Sequence, residues 1–165
     1  MSLFMLRGRG GAWWLPTVAS PTGAPTAAEI TAGIPLSAAF TAIQGLEPQT
    51  NKINVAVMKY KVEAQIGGPE TFQNVSVTIA EDDGTGLDAD ALERKAALVT
   101  MVAPSSGVLI LSRTKQTLAA ADKVFSIAAS VDAQVPNWNL DAAAASTQIN
   151  LSPSTPLRAV AVLGP

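Results

Sequence analysis

The sequence predicts a mainly β protein with a single helix: an antiparallel β-sandwich or barrel, one helix flanking it near residues 88–102, and an extended N-terminal arm. Three observations carry this. Alternating or β-branched runs recur after Lys52, as in FQNVSVTIA (72–80), GVLILSRTK (107–115) and KVFSIAASVDAQV (123–135). One stretch alone, DADALERKAALVTMVA (88–103), has apolar residues at helical spacing behind an acidic start. Residues 16–50 contain Pro16, Pro21, Pro25, Pro35 and Pro48, each of which fixes φ and removes an amide donor, so long strands are not expected there.

The elements follow in order. In LRGRGGAWWLPT (6–17), Trp13, Trp14 and Leu15 read as a strand of an arm that leaves through Pro16, with one indole packed on its own domain and the other on a neighbour. A tryptophan buries around 200 Å², about 5 kcal/mol of gross transfer energy at 25 cal/mol per Å², enough to anchor such an arm. TAAEI (26–30) makes a helical turn that Gly33 ends. INVAVMKYKVEAQI (53–66) reads as one strand contacted from both sides, and GGPE (67–70) as a turn. In the next strand Val75, Val77 and Ile79 point inward and Asn74, Ser76 and Thr78 outward.

For the helix, Asp88 or Asp90 is the N-cap, with Glu93 completing a capping box after Asp90. Leu92, Ala96 and Val99, with Leu98 and Val102 beside them, form its packed face, and Pro104 and Gly107 stop it. GVLILSRTK and KVFSIAASVDAQV are strands joined by QTLAAAD. VPNWNLDAAAASTQINLSPS (135–154) reads as irregular, and PLRAVAVLGP (156–165) as a closing strand. Five to seven strands result. Residues 1–50 form an arm and proline-rich link within the same domain as a core spanning 51–165.

Composition restricts function. A length of 165 residues suits one domain. Charged residues are 15%, against roughly 25% in typical soluble domains, which fits a surface largely covered in an assembly. The net charge of −2 argues against a protein that grips nucleic acid. Arg7 and Arg9 are too few for an RGG-type tail, since each phosphate contact adds only a salt-sensitive increment. The chain has no cysteine and no histidine, which removes thiolate chemistry and the commonest general base and zinc ligand. No apolar run is long enough to span a bilayer. Apolar residues precede the arginines in MSLFMLRGRGG, the reverse of a signal peptide, so an origin in the cytoplasm is expected.

Glu81, Asp82, Asp83, Asp88, Asp90 and Glu93 do not have EF-hand spacing and read as a solvated turn with a helix cap. GTG (84–86) and GRGG (8–11) lack the lysine or third glycine of phosphate loops. No Ser-x-x-Lys occurs, and Tyr60 is given a packing role. No catalytic residue, cofactor or metal is expected.

AWWLPTVASPTGAPTAAEITAGIPL (12–36) resembles the N-terminal region of the major tail proteins, or tail tube proteins, of siphovirus-type long-tailed bacteriophages, with Ala24, Pro25, Thr26, Glu29, Ile30 and Gly33 in matching places. AAADKVFSIAASVDAQVP (119–136) is similar to that family's strand with a Val-Pro exit, and LRAVAVLGP to its C-terminal strand. Ala121 departs from the glycine the family often has before Asp-Lys. The resemblance implies a sandwich or barrel with a flanking helix, six subunits per ring, and stacked rings whose lumen carries DNA at ejection. Two strands per subunit would join neighbours into an inner barrel. Trp13, Trp14, Leu15, Pro16 and Pro25 then belong to an inter-subunit arm. Glu63, Gln65, Gln73, Asn74, Ser76 and Thr78 are the lumen candidates, in a polar or mildly acidic wall that repels phosphate. Partners are further copies, the tail tip, the tape measure and the terminator, with transient passage of DNA and no membrane; the protein is made in the host cytoplasm and ends in the virion. The alternatives are a tail terminator, a head–tail joining or capsid decoration protein, or a β-sandwich binding module.

Overall fold

The computed structural model describes residues 9–55, 64–72, 74–82, 85, 88–138 and 145–164, with the side chains of 54, 55 and 64–66 set aside. Within them the chain runs β1 (Gly11–Leu15), α1 (Ala27–Ala32), β2 (Ile34–Pro35), β3 (Phe40–Gln44), β4 (Gln49–Val55), β5 (Ala64–Thr71), β6 (Val75–Ala80), α2 (Ala89–Thr100), β7 (Ser105–Ser112), β8 (Lys123–Pro136), β9 (Ser146–Pro153) and β10 (Arg158–Ala161). The named strands pair antiparallel throughout.

β8 is the spine. β7 lies along one side of it; β10 pairs with its start and β9 with its second half on the other side. The sheet continues in the order β2-β1-β7-β8-β9-β6-β3, with β2 and β3 as edges, so it is not a closed barrel. It is strongly curled all the same, because α2 packs on both β2 and β6, near opposite ends of that order. Leu36 N donates to Ala12 O at 2.8 Å and Ala80 N to Ala39 O at 2.9 Å, so residues 36–39 bridge the two sides. β4 and β5 pair only with each other, as a separate two-stranded unit.

Alternation along β1 explains the tryptophan pair. Successive side chains of a strand point to opposite faces. Trp14 enters the main core with Val77, Ile79, Leu109, Ile127 and Ile149, and Trp13 enters a second cluster on the outer face with Leu15, Ile30, Ile110, Val124 and Val162. Glycine makes room for the first: a Cβ at Gly107 would lie 2.6 Å from the Trp14 ring and 2.7 Å from Leu15 O. α1 starts in a capping box between Thr26 and Glu29 and ends at Gly33.

Several expectations are met: β6 with Val75, Val77 and Ile79 inward, β7, β8, the helical turn at Thr26–Gly33, and the closing strand β10. Others are corrected. The single strand over 53–66 is instead two antiparallel partners, with Val55 opposite Ala64; Tyr60 lies outside the described residues. GGPE is not a turn but part of β5, at a bulge where two residues face Asn51. A Cβ at Gly68 would come within 2.4 Å of Asn51 O, so the signal marks a close backbone approach. STQINLSP, read as irregular, is β9.

The helix is capped by Asp88, whose Oδ1 accepts from Ala91 N at 2.7 Å. It buries the face opposite to the one expected: Ala91, Ala97 and Met101 are inward, while Leu92 and Val99 are 53% and 70% exposed. The core beneath already holds Trp14, Ile79 and Leu109, and the helix settles on it with Ala97 and, at its end, the flexible Met101, while Leu98 packs at the margin. The second indole is corrected too. Trp13 and Trp14 are 7% and 1% exposed within their own chain, so neither ring is left over for a neighbour.

Candidate functional site

The outer face of the sheet changes character along its width. Over β1, β7 and the start of β8 it is apolar and covered by α1 and Val162. Over the second half of β8, β9, β6 and β3 it is open and polar. Directly opposed residues of an antiparallel pair share a face, which sets Gln44, Ser76, Asn150 and Ala133 in one row and Ala42, Thr78, Gln148 and Val135 in the next. Ser130 and Ser152 form a third pair. No lysine or arginine occurs in β3, β6, β9 or residues 129–136. Their one carboxylate, Asp132, sits at the β8 bulge and accepts from Ser152 Oγ at 2.6 Å.

Of the lumen candidates, Ser76 and Thr78 lie together on this panel. Ser76 is only 4% exposed, and Thr78 is half-buried. Asn74 precedes the strand, exposed and at φ +53°. Gln65 belongs to β5, opposite Asn54 on the separate unit. Glu63 and Gln73 lie outside the described residues. Gln148 and Asn150, the panel's most evident members, were missed. Their signal was available, because Thr147, Ile149 and Leu151 alternate with Gln148, Asn150 and Ser152 at period two.

Two other surfaces stand out. α2 is fixed from within: Ala38 N donates to Glu93 Oε1 at 2.7 Å, Arg94 bridges to Asp82 at 3.3 Å, and Gln134 Nε2 donates to Leu98 O and Met101 O at 2.7 and 2.8 Å. Its outward stripe of Leu92, Ala96 and Val99, with Val102 beyond the C-cap, is therefore a rigid exposed apolar ridge. The β4–β5 unit has exposed side chains from Gln49 to Ile53 and at Pro69, Glu70 and Thr71. Pro16 is exposed just past β1, whereas Pro25 is buried.

Carboxylates are used for structure. Glu29 accepts from Thr26 N, Ala19 N and Thr26 Oγ1, and the Thr26 amide is the main cause holding its carboxyl below the usual range. Asp122, bound by Lys115 Nζ and Ala119 N, is lowered chiefly by the lysine. Among the described residues, no three acidic side chains converge as a metal site, and no helix is long and apolar enough to cross a membrane.

A curled antiparallel sheet with a flanking helix thus leaves three surfaces uncovered: the polar panel, the α2 ridge and the β4–β5 unit. Solved structures share this fold at low identity. A chain of the six-fold-symmetrised anti-feeding prophage baseplate aligns with TM-score 0.57 and 9% identity, over 98% of this chain and 99% of its own. A chain of the PVC extracellular contractile injection system sheath/tube terminator gives 0.57 and 12%, over 98% of each. The tube-terminating cap of the anti-feeding prophage gives 0.55 and 14%, over 98% and 94%. No curated protein matches the chain in sequence. The phage tail tube protein family model matches residues 2–165, and the chain belongs to that family.

Proposed function

We propose that this chain is the tube subunit of a siphovirus-type tail. Copies close into rings of six, and rings stack into a tube that conducts DNA at ejection. The observation that carries this reading is the open four-strand panel without a single cation. Turned inward, Gln44, Thr78, Gln148 and Asn150 offer DNA polar groups that water already satisfies and no lysine or arginine to hold a phosphate. Nucleic acid slides past such a wall. The role is architectural, with no catalysis.

The other surfaces take the contacts. The Leu92–Val99 ridge and the open edges β2 and β3 meet neighbours in the ring, since both apolar ridges and unpaired edges need cover. The β4–β5 unit reaches an adjacent ring. Pro16 and the loop after it carry the inter-subunit role of the arm, with Trp13, Trp14, Leu15 and Pro25 supporting them from within the fold. The tail tip, tape measure and terminator are the expected heterologous partners. The product resides in the virion after synthesis in the host cytoplasm.

One observation favours a second reading, a tail terminator: the chains from terminator and cap structures align as well as those from the baseplate. Negative-stain imaging of the purified protein decides. Long stacked tubes establish the tube subunit. Single rings that never polymerise establish the terminator. A monomer at every concentration, with or without a tail-tip initiator, refutes both.

A further inference from the structure

We infer that copies of this chain meet head to tail through opposite charge, the basic end of β8 in one copy against the acidic end in the next. The inference rests on the stacked-tube reading and names the surfaces that mate. β8 has 14 residues, so its ends lie about 45 Å apart at roughly 3.3 Å per residue. At its start stand Lys123, with Arg113 and Lys115 just past the end of β7, and Arg9 two residues before Gly11, which pairs with Ser112. These four cations face one local carboxylate, Asp122, bound by Lys115 at 2.6 Å. Arg9, Arg113, Lys115 and Lys123 are all exposed.

At the other end of β8, Pro136 pairs with Thr147, which pairs with Ile79. Glu81 follows directly, held by Thr147 Oγ1 and by its own amide on Ala145 O. Asp82, and Asp88 and Asp90 at the start of α2, complete the group. Among the described residues this end therefore carries four carboxylates and the guanidinium of Arg94, which bridges to Asp82. Glu93 and Lys95, next along the helix, offset each other. Between the two ends lies the uncharged panel.

This polarity selects the partner. Two basic ends repel, as do two acidic ends, so end-to-end contact between like copies is attractive in one sense only. A head-to-tail contact is heterologous, and a heterologous contact that does not close on itself propagates. A polar tube needs that geometry. Charge at the rim of an interface governs encounter and orientation more than final affinity.

The test uses the full-length chain and tube length measured by electron microscopy. Arg113→Glu with Lys123→Glu reverses the basic end. Asp82→Lys with Asp90→Lys reverses the net charge of the acidic end and keeps the Asp88 helix cap. Each pair alone is expected to shorten tubes about tenfold or more, because like-charge contact costs several kcal/mol. The four changes together restore length. Parent tubes shorten as salt rises above about 0.15 M, where the Debye length falls below about 8 Å. Circular dichroism melts that match the parent show that exposed substitutions left the fold intact. Parent-like tubes from either reversed pair overturn this inference while leaving the tube subunit standing. A parent that never assembles overturns the tube reading and this inference with it.

Discussion

Residues 11–35 and the described parts of residues 49–71 both form short strands early in the chain, yet the fold treats them oppositely. The first supplies β1, α1 and β2, with Trp14 in one core and Trp13 and Leu15 in the other. The second pairs only with itself, and its described side chains are nearly all exposed. An isolated two-stranded hairpin is marginal in water. The contrast separates two kinds of stability. The N-terminal segment is part of what makes the monomer fold, and the β4–β5 unit is, in the stacked-tube reading proposed above, where a neighbour would make contact.

The largest effect should come from Trp14→Ala. It empties a site closed on every side and leaves Gly107 facing a void, for a loss of about 3–5 kcal/mol. Denaturant unfolding measures it, and much of the variant should be insoluble or unfolded. If Trp14→Ala melts like the parent and only assembles poorly, the N-terminal segment is an assembly arm after all and the contrast collapses.

A smaller effect of opposite sign is expected at Ala121, in the link between β7 and β8. Its φ is +69°, a region costly to an L-residue, and its amide is fixed on Val162 O at 2.9 Å. Ala121→Gly removes the steric cost and adds some unfolded-state entropy, for a net gain of about 1 kcal/mol. Assembly should not change, because the strain lies in the body of the fold. A melting point at or below the parent's would show that the left-handed turn is relaxed as it stands.

Glu29 locks residues 19–26 onto α1, and its effect is smaller again. Its folded pKa lies below the ordinary 4.5, so the carboxylate stabilises the fold above that value. That contribution is lost as pH falls through the folded pKa. The side chain is largely solvated, which keeps the effect modest. Melting curves between neutral pH and pH about 3 should therefore fall more steeply for the parent than for Glu29→Gln. Parallel curves would mean the lock contributes nothing.

The parts legible in the sequence were those set by local period and turn chemistry. β6, β7 and β8 alternate clearly, and Thr26-x-x-Glu29 before Gly33 is a complete local helix signal. What stayed hidden was decided by distant residues. Whether 53–66 is one strand or two depends on the partner of Val55, which is Ala64 and no residue of the sheet. Leu92 and Val99 look like a packed face until the core beneath α2 is known, where Ala97 and Met101 take the inward positions instead. One tryptophan is assigned to a neighbour from the sequence because nothing local announces a second core on the outer face. Ile30 and Val162, at distant positions in the chain, are what build it. For the candidate site, Ser76 and Thr78 were legible from the alternation of β6 alone. Gln148 and Asn150 were obscured by Ala142–Ala145 just before them, which made the whole stretch look irregular.

The smallest expected change in stability is the most discriminating. Ile53 is 55% exposed on β4, a large β-branched side chain on a hairpin that the rest of the fold leaves uncovered. Replacing it by serine removes apolar surface that the lone chain never buries, so unfolding should shift by no more than about 0.5 kcal/mol. In the assembled tube the same side chain would be covered by the adjacent ring, and its loss should appear as shorter tubes or a higher concentration for assembly. Trp14→Ala and Ile53→Ser thus form opposite halves of one experiment: the first removes the fold and assembly with it, the second removes assembly and spares the fold. A marked drop in the melting point of Ile53→Ser would place the hairpin inside the monomer's own core, and parent-like tubes would remove it from the ring contact.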